Sequence, residues 1–166
     1  LKASHESSRL KYRRSSRANG ALFKFLNSEK VAKNCLYVVS SIGPSILWMN
    51  TNMRILFTND DGVQAEGLQS LYRRFQDQLE CWISAPHTQQ SAQSHAFSLG
   101  KTLAVHLHSA RCVSIEGTPA DSVYYGMHGL DVDGFDWVLS GINAGSNLGT
   151  DTHYSGTVGA AMEGCF

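Results

Sequence analysis

The chain has 166 residues, 42% apolar and 17% charged, an ordinary soluble balance with length enough for one sizeable core. Its formal charge of zero hides an asymmetry: residues 1–52 hold nine Lys/Arg and two Glu, and residues 53–166 hold five Lys/Arg and twelve Asp/Glu. No apolar run in these residues reaches the roughly 18 needed to span a bilayer as a helix.

Residues 1–52 form a basic, Ser-rich leader. Ser4 to Arg17 has neither helical nor strand periodicity. A transit peptide would have this composition. The plainer expectation is a disordered leader, or translated sequence upstream of a start at Met53. No function is assigned to this block, and neither nucleic acid nor membrane is expected as a partner. Cys35, Cys81, Cys112 and Cys165 lack zinc or redox spacing and read as reduced thiols of a cytoplasmic protein.

From Met53 the text becomes organised. Residues 54–58 are a short apolar run, predicted as a buried strand. Asn59-Asp60-Asp61-Gly62 has turn chemistry. Leu68, Leu71, Tyr72, Phe75 and Leu79 recur at helical spacing. Residues 81–85 read as a second strand closed by Pro86, which makes a parallel strand–helix–strand unit. His87 to His95, rich in Gln and Ser, is a loop. Residues 103–108 and 112–115 read as strands of a hairpin around Ser109-Ala110. Thr118-Pro119-Ala120-Asp121 is a helix start, with Thr as cap, Pro in the first turn and an acid three residues on. That helix runs to about Met127. Residues 136–140 make another buried strand, and a loop with Gly141, Gly145 and Gly149 follows. A last helix starts near Thr157 and runs to the terminus.

This order predicts an α/β fold: a three-layer, Rossmann-like, mostly parallel sheet. Ligands in such sheets sit outside the carboxyl ends of the strands. The loops at 59–65, 86–95 and 141–149 each follow a strand, so they can meet on one rim.

Two adjacent carboxylates at a strand end repel unless a cation neutralises them, and hard oxygen donors suit Mg²⁺, Mn²⁺ or Ca²⁺. The competing reading of Asp60-Asp61-Gly62 is a simple turn. Ser91 and Asn143 offer neutral oxygens on the other two loops. Tyr154-Ser155-Gly156-Thr157 precedes a helix, whose N-terminus favours phosphate; the plain alternative is an ordinary Ser/Thr cap. The seven histidines show no ligand spacing, and the dinucleotide Gly-x-Gly-x-x-Gly fingerprint is absent. A divalent cation beside an anion-binding loop fits hydrolysis of a phosphate ester. Ser155, Thr157 and nearby N–H groups would stabilise the charge on the equatorial oxygens.

Residues 53–67, MRILFTNDDGVQAEG, resemble the opening of the stationary-phase survival protein family, the SurE-type acid phosphatases and nucleotidases. Glu116-Gly-Thr-Pro-Ala-Asp, Leu139-Ser-Gly-Ile-Asn-Ala-Gly and Tyr154-Ser-Gly-Thr-Val-Gly match further stretches, in order. The resemblance implies a SurE-like domain over 53–166 that hydrolyses nucleoside monophosphates with one Mg²⁺ or Mn²⁺ per chain. The implied metal ligands are Asp60, Asp61, Ser91 and Asn143, with Asp60 and Asp61 catalytic. Implied phosphate and substrate contacts are Asn147, Ser155, Gly156 and Thr157, with Asn59 as an orienting group among them. The nucleophile stays open.

Two departures stand out. The family often has Ser-Gly where this chain has Ser91-Ala92, and Ala resists positive φ. Family members also continue past the Ala-Ala-Met-Glu helix into a region that completes the pocket and helps build dimers or tetramers. The alternative to an active nucleotidase is a C-terminally truncated, non-catalytic fragment that binds metal or phosphate.

Overall fold

The computed structural model describes residues 53–166, together with the backbone of 8–11 and 37–38. In chain order the elements are β1 (Ser8–Lys11), β2 (Tyr37–Val38), β3 (Arg54–Thr58), α1 (Glu66–Phe75), β4 (Glu80–Pro86), β5 (Thr102–Ser109), β6 (Cys112–Ile115), α2 (Pro119–Gly129), β7 (Trp137–Ser140) and α3 (Gly156–Glu163). A 3₁₀ turn, Gly149–His153, leads into α3.

The sheet order is β1-β5-β6-β4-β3-β7-β2. β6, β4, β3, β7 and β2 run parallel, and β5 is antiparallel to both of its neighbours. The expected α/β, mostly parallel architecture is therefore present. The pairing of β1 and β2 with the two flanks was not foreseen, because neither segment carries an apolar period. The remainder of the predicted leader, residues 1–7, 12–36 and 39–52, lies outside the described residues.

Successive strand residues face opposite sides of a sheet, and this sorts the core into layers. Ile55 and Phe57 of β3, with Cys81 and Ile83 of β4, pack against Leu68, Leu71 and Phe75 of α1. Leu56, between them in sequence, faces the other way with Val138 and meets Val123 of α2 and Ala160 of α3. One helix thus covers one face and two helices cover the other. Ile55, Leu56, Phe57 and Leu68 are fully buried, and each such side chain contributes about 1.5–3 kcal/mol.

α2 begins as its sequence predicts. Thr118 Oγ1 accepts from Asp121 N at 3.1 Å, and Thr118 N donates to Asp121 Oδ2 at 2.8 Å, with Pro119 at the first helical position. This reciprocal cap satisfies two of the orphan N–H groups of a helix start. α3 ends at Glu163 rather than at the terminus, and Gly164 caps it. Cys81 and Cys112 are free thiols. Among the described residues no helix is long and apolar enough to cross a membrane.

The path of the chain also places the functional rim. It leaves β3 through α1 on one face, builds β4 to β6 on one side, then returns to β7 on the other side of β3 and leaves through α3 on the opposite face. The carboxyl ends of β3 and β7 are therefore the switch point where such sheets open a crevice.

Candidate metal and phosphate site

β3 ends in a turn that aims two acids into this crevice. Asn59 is fully buried; its Nδ2 donates to Gly62 O at 2.9 Å, and Gly62 N donates back to its Oδ1 at 3.2 Å. Gly62 has φ +103°, a conformation open to glycine. Both ends of the Asn59 amide are thus committed to the turn that presents the acids. Asn59 thereby orients the pair, as its place beside the acids suggested, and the second N–H of its amide is not used by these bonds.

Each carboxylate is then held from a different loop. Asp60 is 5% exposed, and its Oδ1 accepts from the hydroxyl of Thr157, a residue of α3. Asp61 Oδ2 accepts from Ala144 N at 3.0 Å. The carbonyl of Asp60 accepts from Gln90 N at 2.7 Å, and Gly141 N donates to Thr58 O at 2.9 Å. The three expected loops therefore meet at one edge of the sheet. One oxygen on each acid, Asp60 Oδ2 and Asp61 Oδ1, lies outside these bonds.

α3 brings its N-terminus onto Asp60. A Cβ added at Gly156 would lie 2.8 Å from Asp60 Cβ and 3.1 Å from its Oδ2, so only glycine allows this approach. Ser155 is buried and caps the helix, its Oγ accepting from Val158 N at 3.2 Å. Thr157 is fully buried, and its hydroxyl faces the acid. The first N–H groups of the helix, at Gly156 and Thr157, have no intrahelical acceptor and carry the positive end of the helix dipole. These N–H groups are of the kind that meets an anion, whereas the Thr157 hydroxyl is engaged by Asp60. Asn147 Nδ2 is buried with no hydrogen-bond partner among the described residues.

Asn143 Nδ2 donates to Gly145 O at 3.0 Å, which turns the amide so that Oδ1 is the atom left for another contact. Ser91 is exposed, and its Oγ accepts from Gln89 Nε2 at 2.9 Å. Ser91 lies one residue from the Gln90 bond to Asp60. Beyond it the loop takes φ +57° at Ala92 and +54° at Ser94. The segment is then stapled to α3 and the 3₁₀ turn. Ser94 N donates to Tyr154 O at 2.9 Å, Ser94 Oγ donates to His153 O at 2.6 Å, and His95 Nε2 lies 2.8 Å from Glu163 Oε2.

Among the described residues no three His, Cys, Asp or Glu side chains group to hold a metal. A cation here needs neutral oxygens beside the two acids, and Asn143 Oδ1 and the Ser91 hydroxyl are of that type. This all-oxygen set fits a hard divalent cation and not zinc or copper.

Two arrangements escaped the sequence reading. Asp121 closes the α2 cap and also accepts Ser98 N at 3.0 Å through Oδ1, joining two loops. His87, His106 and His108 gather around β6. His87 Nδ1 and His108 Nε2 lie 2.9 and 2.8 Å from Ser114 Oγ, and the His87 and His106 rings stack at 4.3 Å. The i, i+2 spacing of His106 and His108 on one strand face was the available signal.

Comparison with known proteins gives consistent matches. A family model described as "Survival protein SurE" matches residues 55–166. The "5'-nucleotidase SurE" of Pseudomonas savastanoi pv. phaseolicola is 47% identical over 114 residues, covering 69% of this chain and 46% of that protein. The one from Anaeromyxobacter sp. (strain Fw109-5) is 50% identical over 113 residues, covering 68% and 44%. The crystal structure of the Sure protein from Aquifex aeolicus superposes with a TM-score of 0.63 at 36% identity, covering 67% of this chain and 46% of that one. The chain spans somewhat less than half the length of these relatives.

Proposed function

Because the chain belongs to the survival protein SurE family, we propose that it carries the phosphate-hydrolysing centre of a divalent-metal-dependent nucleotidase acting on nucleoside monophosphates. One observation carries the reading. The Asp60 carboxylate contacts the N-terminal turn of α3 through Thr157 and Gly156, while its main chain is bonded to the loop bearing Ser91. An acid suited to a cation and a helix start suited to an anion are thereby in direct contact, an arrangement that suits metal-assisted phosphomonoester hydrolysis.

In this proposal Asp60 Oδ2, Asp61 Oδ1, Ser91 and Asn143 Oδ1 would hold one Mg²⁺ or Mn²⁺. When bound, the cation supplies Lewis acidity toward a phosphoryl oxygen and lowers the pKa of water. The chain's own groups do the rest. The N–H groups of Gly156 and Thr157 and the unpartnered Nδ2 of Asn147 receive the phosphate oxygens, and they are fixed before the charge develops. Ser155 shapes the first turn by capping it, and its hydroxyl proton remains available to an oxygen. Thr157 is a positioning residue that locks Asp60. The full-length protein is proposed to act in the cytoplasm as a homodimer or tetramer.

The test is phosphate release from adenosine monophosphate by the full-length protein, with and without added Mg²⁺ or Mn²⁺. Asp60→Asn is expected to lower turnover by at least about a hundredfold while circular dichroism stays unchanged. Wild-type turnover in that variant overturns the proposal. Because the chain spans less than half of its relatives, a second reading is a binding fragment. Cation-dependent stabilisation of the 166-residue chain without turnover supports that reading.

A further inference from the structure

Residues 94–95 cross α3 in direct backbone contact. A Cβ added at Gly159 would collide with the carbonyl oxygen of Ser94 and lie 3.0 Å from His95 Cα, so this crossing needs glycine. On either side of it the segment is bonded to one end of the helix. Toward the start, Ser94 N donates to Tyr154 O at 2.9 Å and Ser94 Oγ donates to His153 O at 2.6 Å. At the other end, His95 Nε2 lies 2.8 Å from Oε2 of Glu163, the last residue of α3. A carboxylate only accepts, so Nε2 carries the hydrogen. The Phe166 ring stacks on the imidazole at 6.1 Å.

Helix stability does not account for Glu163. An acid in the last turn opposes the helix dipole, and α3 has no basic residue there to offset it. Its side chain is 14% exposed, and a carboxylate so far from water needs a hydrogen-bond partner, which His95 supplies. The segment held in this way joins the two halves of the candidate site. Ser91 stands three residues before Ser94, and Gln90 N is bonded to the carbonyl of Asp60 at 2.7 Å. The run between them is bent at Ala92 and Ser94, both at positive φ. A shift at His95 therefore passes to Ser91 through a short stretch of chain, while the helix that the segment grips carries the N–H groups of Gly156 and Thr157.

We propose that Glu163, acting through His95, is a positioning residue for the phosphatase reaction. Its bond holds the Ser91 loop and α3 together at a third point beyond Ser94 and Gly159. That fixes the separation between the Ser91 hydroxyl, on the cation side, and the N–H groups at the helix start, on the phosphate side. The inference rests on the metal-dependent phosphatase reading and deepens it.

The experiment uses the full-length protein with Glu163→Gln, Glu163→Ala, His95→Ala and the double Ala variant. Mn²⁺ alone is titrated by calorimetry, kcat and KM are measured for adenosine monophosphate at saturating Mn²⁺, and urea midpoints are recorded alongside. Glu163→Ala is expected to weaken Mn²⁺ binding and to lower kcat by about tenfold each. Glu163→Gln still accepts from Nε2 and is expected to retain most of both. His95→Ala should match Glu163→Ala, and the double variant should be no worse than either, because all three remove the same bond. A merely structural role would lower the urea midpoint and leave Mn²⁺ affinity and kcat of the folded protein unchanged, which overturns the proposal. So does a Gln variant as impaired as the Ala variant, or additive losses in the double variant. If Glu163→Ala does not fold, His95→Ala reads the same bond from its more exposed side. The two readings fail separately. Hydrolysis with Mn²⁺ affinity and kcat equal in all variants removes the positioning role and keeps the phosphatase. Variant-sensitive Mn²⁺ binding in a protein that releases no phosphate does the reverse.

Discussion

The hydroxyl of Thr157 donates to the carboxylate of Asp60 across 97 residues of sequence, inside a fully buried contact between the end of β3 and the start of α3. A charged acceptor in such a place depends on its donor. Thr157→Val keeps the shape and removes the bond. It is expected to cost about 1.5–3 kcal/mol, because a hydrogen bond to a charged group is lost and the oxygen stays desolvated. Urea unfolding of the variant beside Thr157→Ser measures this; equal midpoints for all three proteins would refute it.

Gly156→Ala places a methyl group 2.8 Å from Asp60 Cβ and 3.0 Å from Pro119 Cγ. Helix propensity alone would favour Ala by about 1 kcal/mol. Overpacking opposes it, at about 1–3 kcal/mol. The expected result is net destabilisation together with reduced turnover, since α3 must retreat from the acid. A more stable variant with full activity would show that the approach is not tight.

Ala92 sits at φ +57°, where a side chain costs about 1–2 kcal/mol relative to glycine. The greater freedom of unfolded glycine offsets part of this, so Ala92→Gly is expected to gain about 0.5–1 kcal/mol. Thermal melting of the variant checks the sign. The substitution also restores the Ser-Gly pair that the family often carries, so turnover should not fall.

The histidine cluster predicts a pH slope. His108 is held below the ordinary histidine value, first by desolvation and then by the neighbouring His87 and His106. The unfolded chain therefore takes up a proton more readily than the folded one. Stability is complete above about pH 6.5 and falls as pH drops below it, through the folded pKa. His108→Gln is expected to flatten unfolding free energy between pH 7.5 and 5. An equal slope in both proteins would assign the pH response to other groups.

Much of the fold could be read from short-range pattern. The apolar run of β3, the face of Leu68, Leu71 and Phe75, and the Thr118–Asp121 cap are local signals, and each reappears as an element with the expected partners. β1 and β2 were not legible, because pairing partners set an edge strand more than its own composition does. At the site, the two acids stand at the predicted strand end. The occupation of Asn59 by Gly62 and of Thr157 by Asp60 could not be read, since each depends on where a hydroxyl or amide points in three dimensions. A cavity of about 500 Å³ lined by His87, Gln90, Ser98 and Thr118 was invisible for a related reason. It is built from three segments, and Asp121, which looked like a helix cap, ties two of them together.

The bond from Ala144 N to Asp61 spans 83 residues and has a temporal side. A ribosome adds about 5–20 residues per second, so Asp61 exists for about 4–17 s before Ala144 is made. The loop from β7 and then α3 arrive after the strands they dock against. During synthesis the scaffold precedes the chemistry, and a chain halted before residue 144 would own both acids and the turn that presents them but neither of the groups, Ala144 N and the Thr157 hydroxyl, that hold their carboxylates.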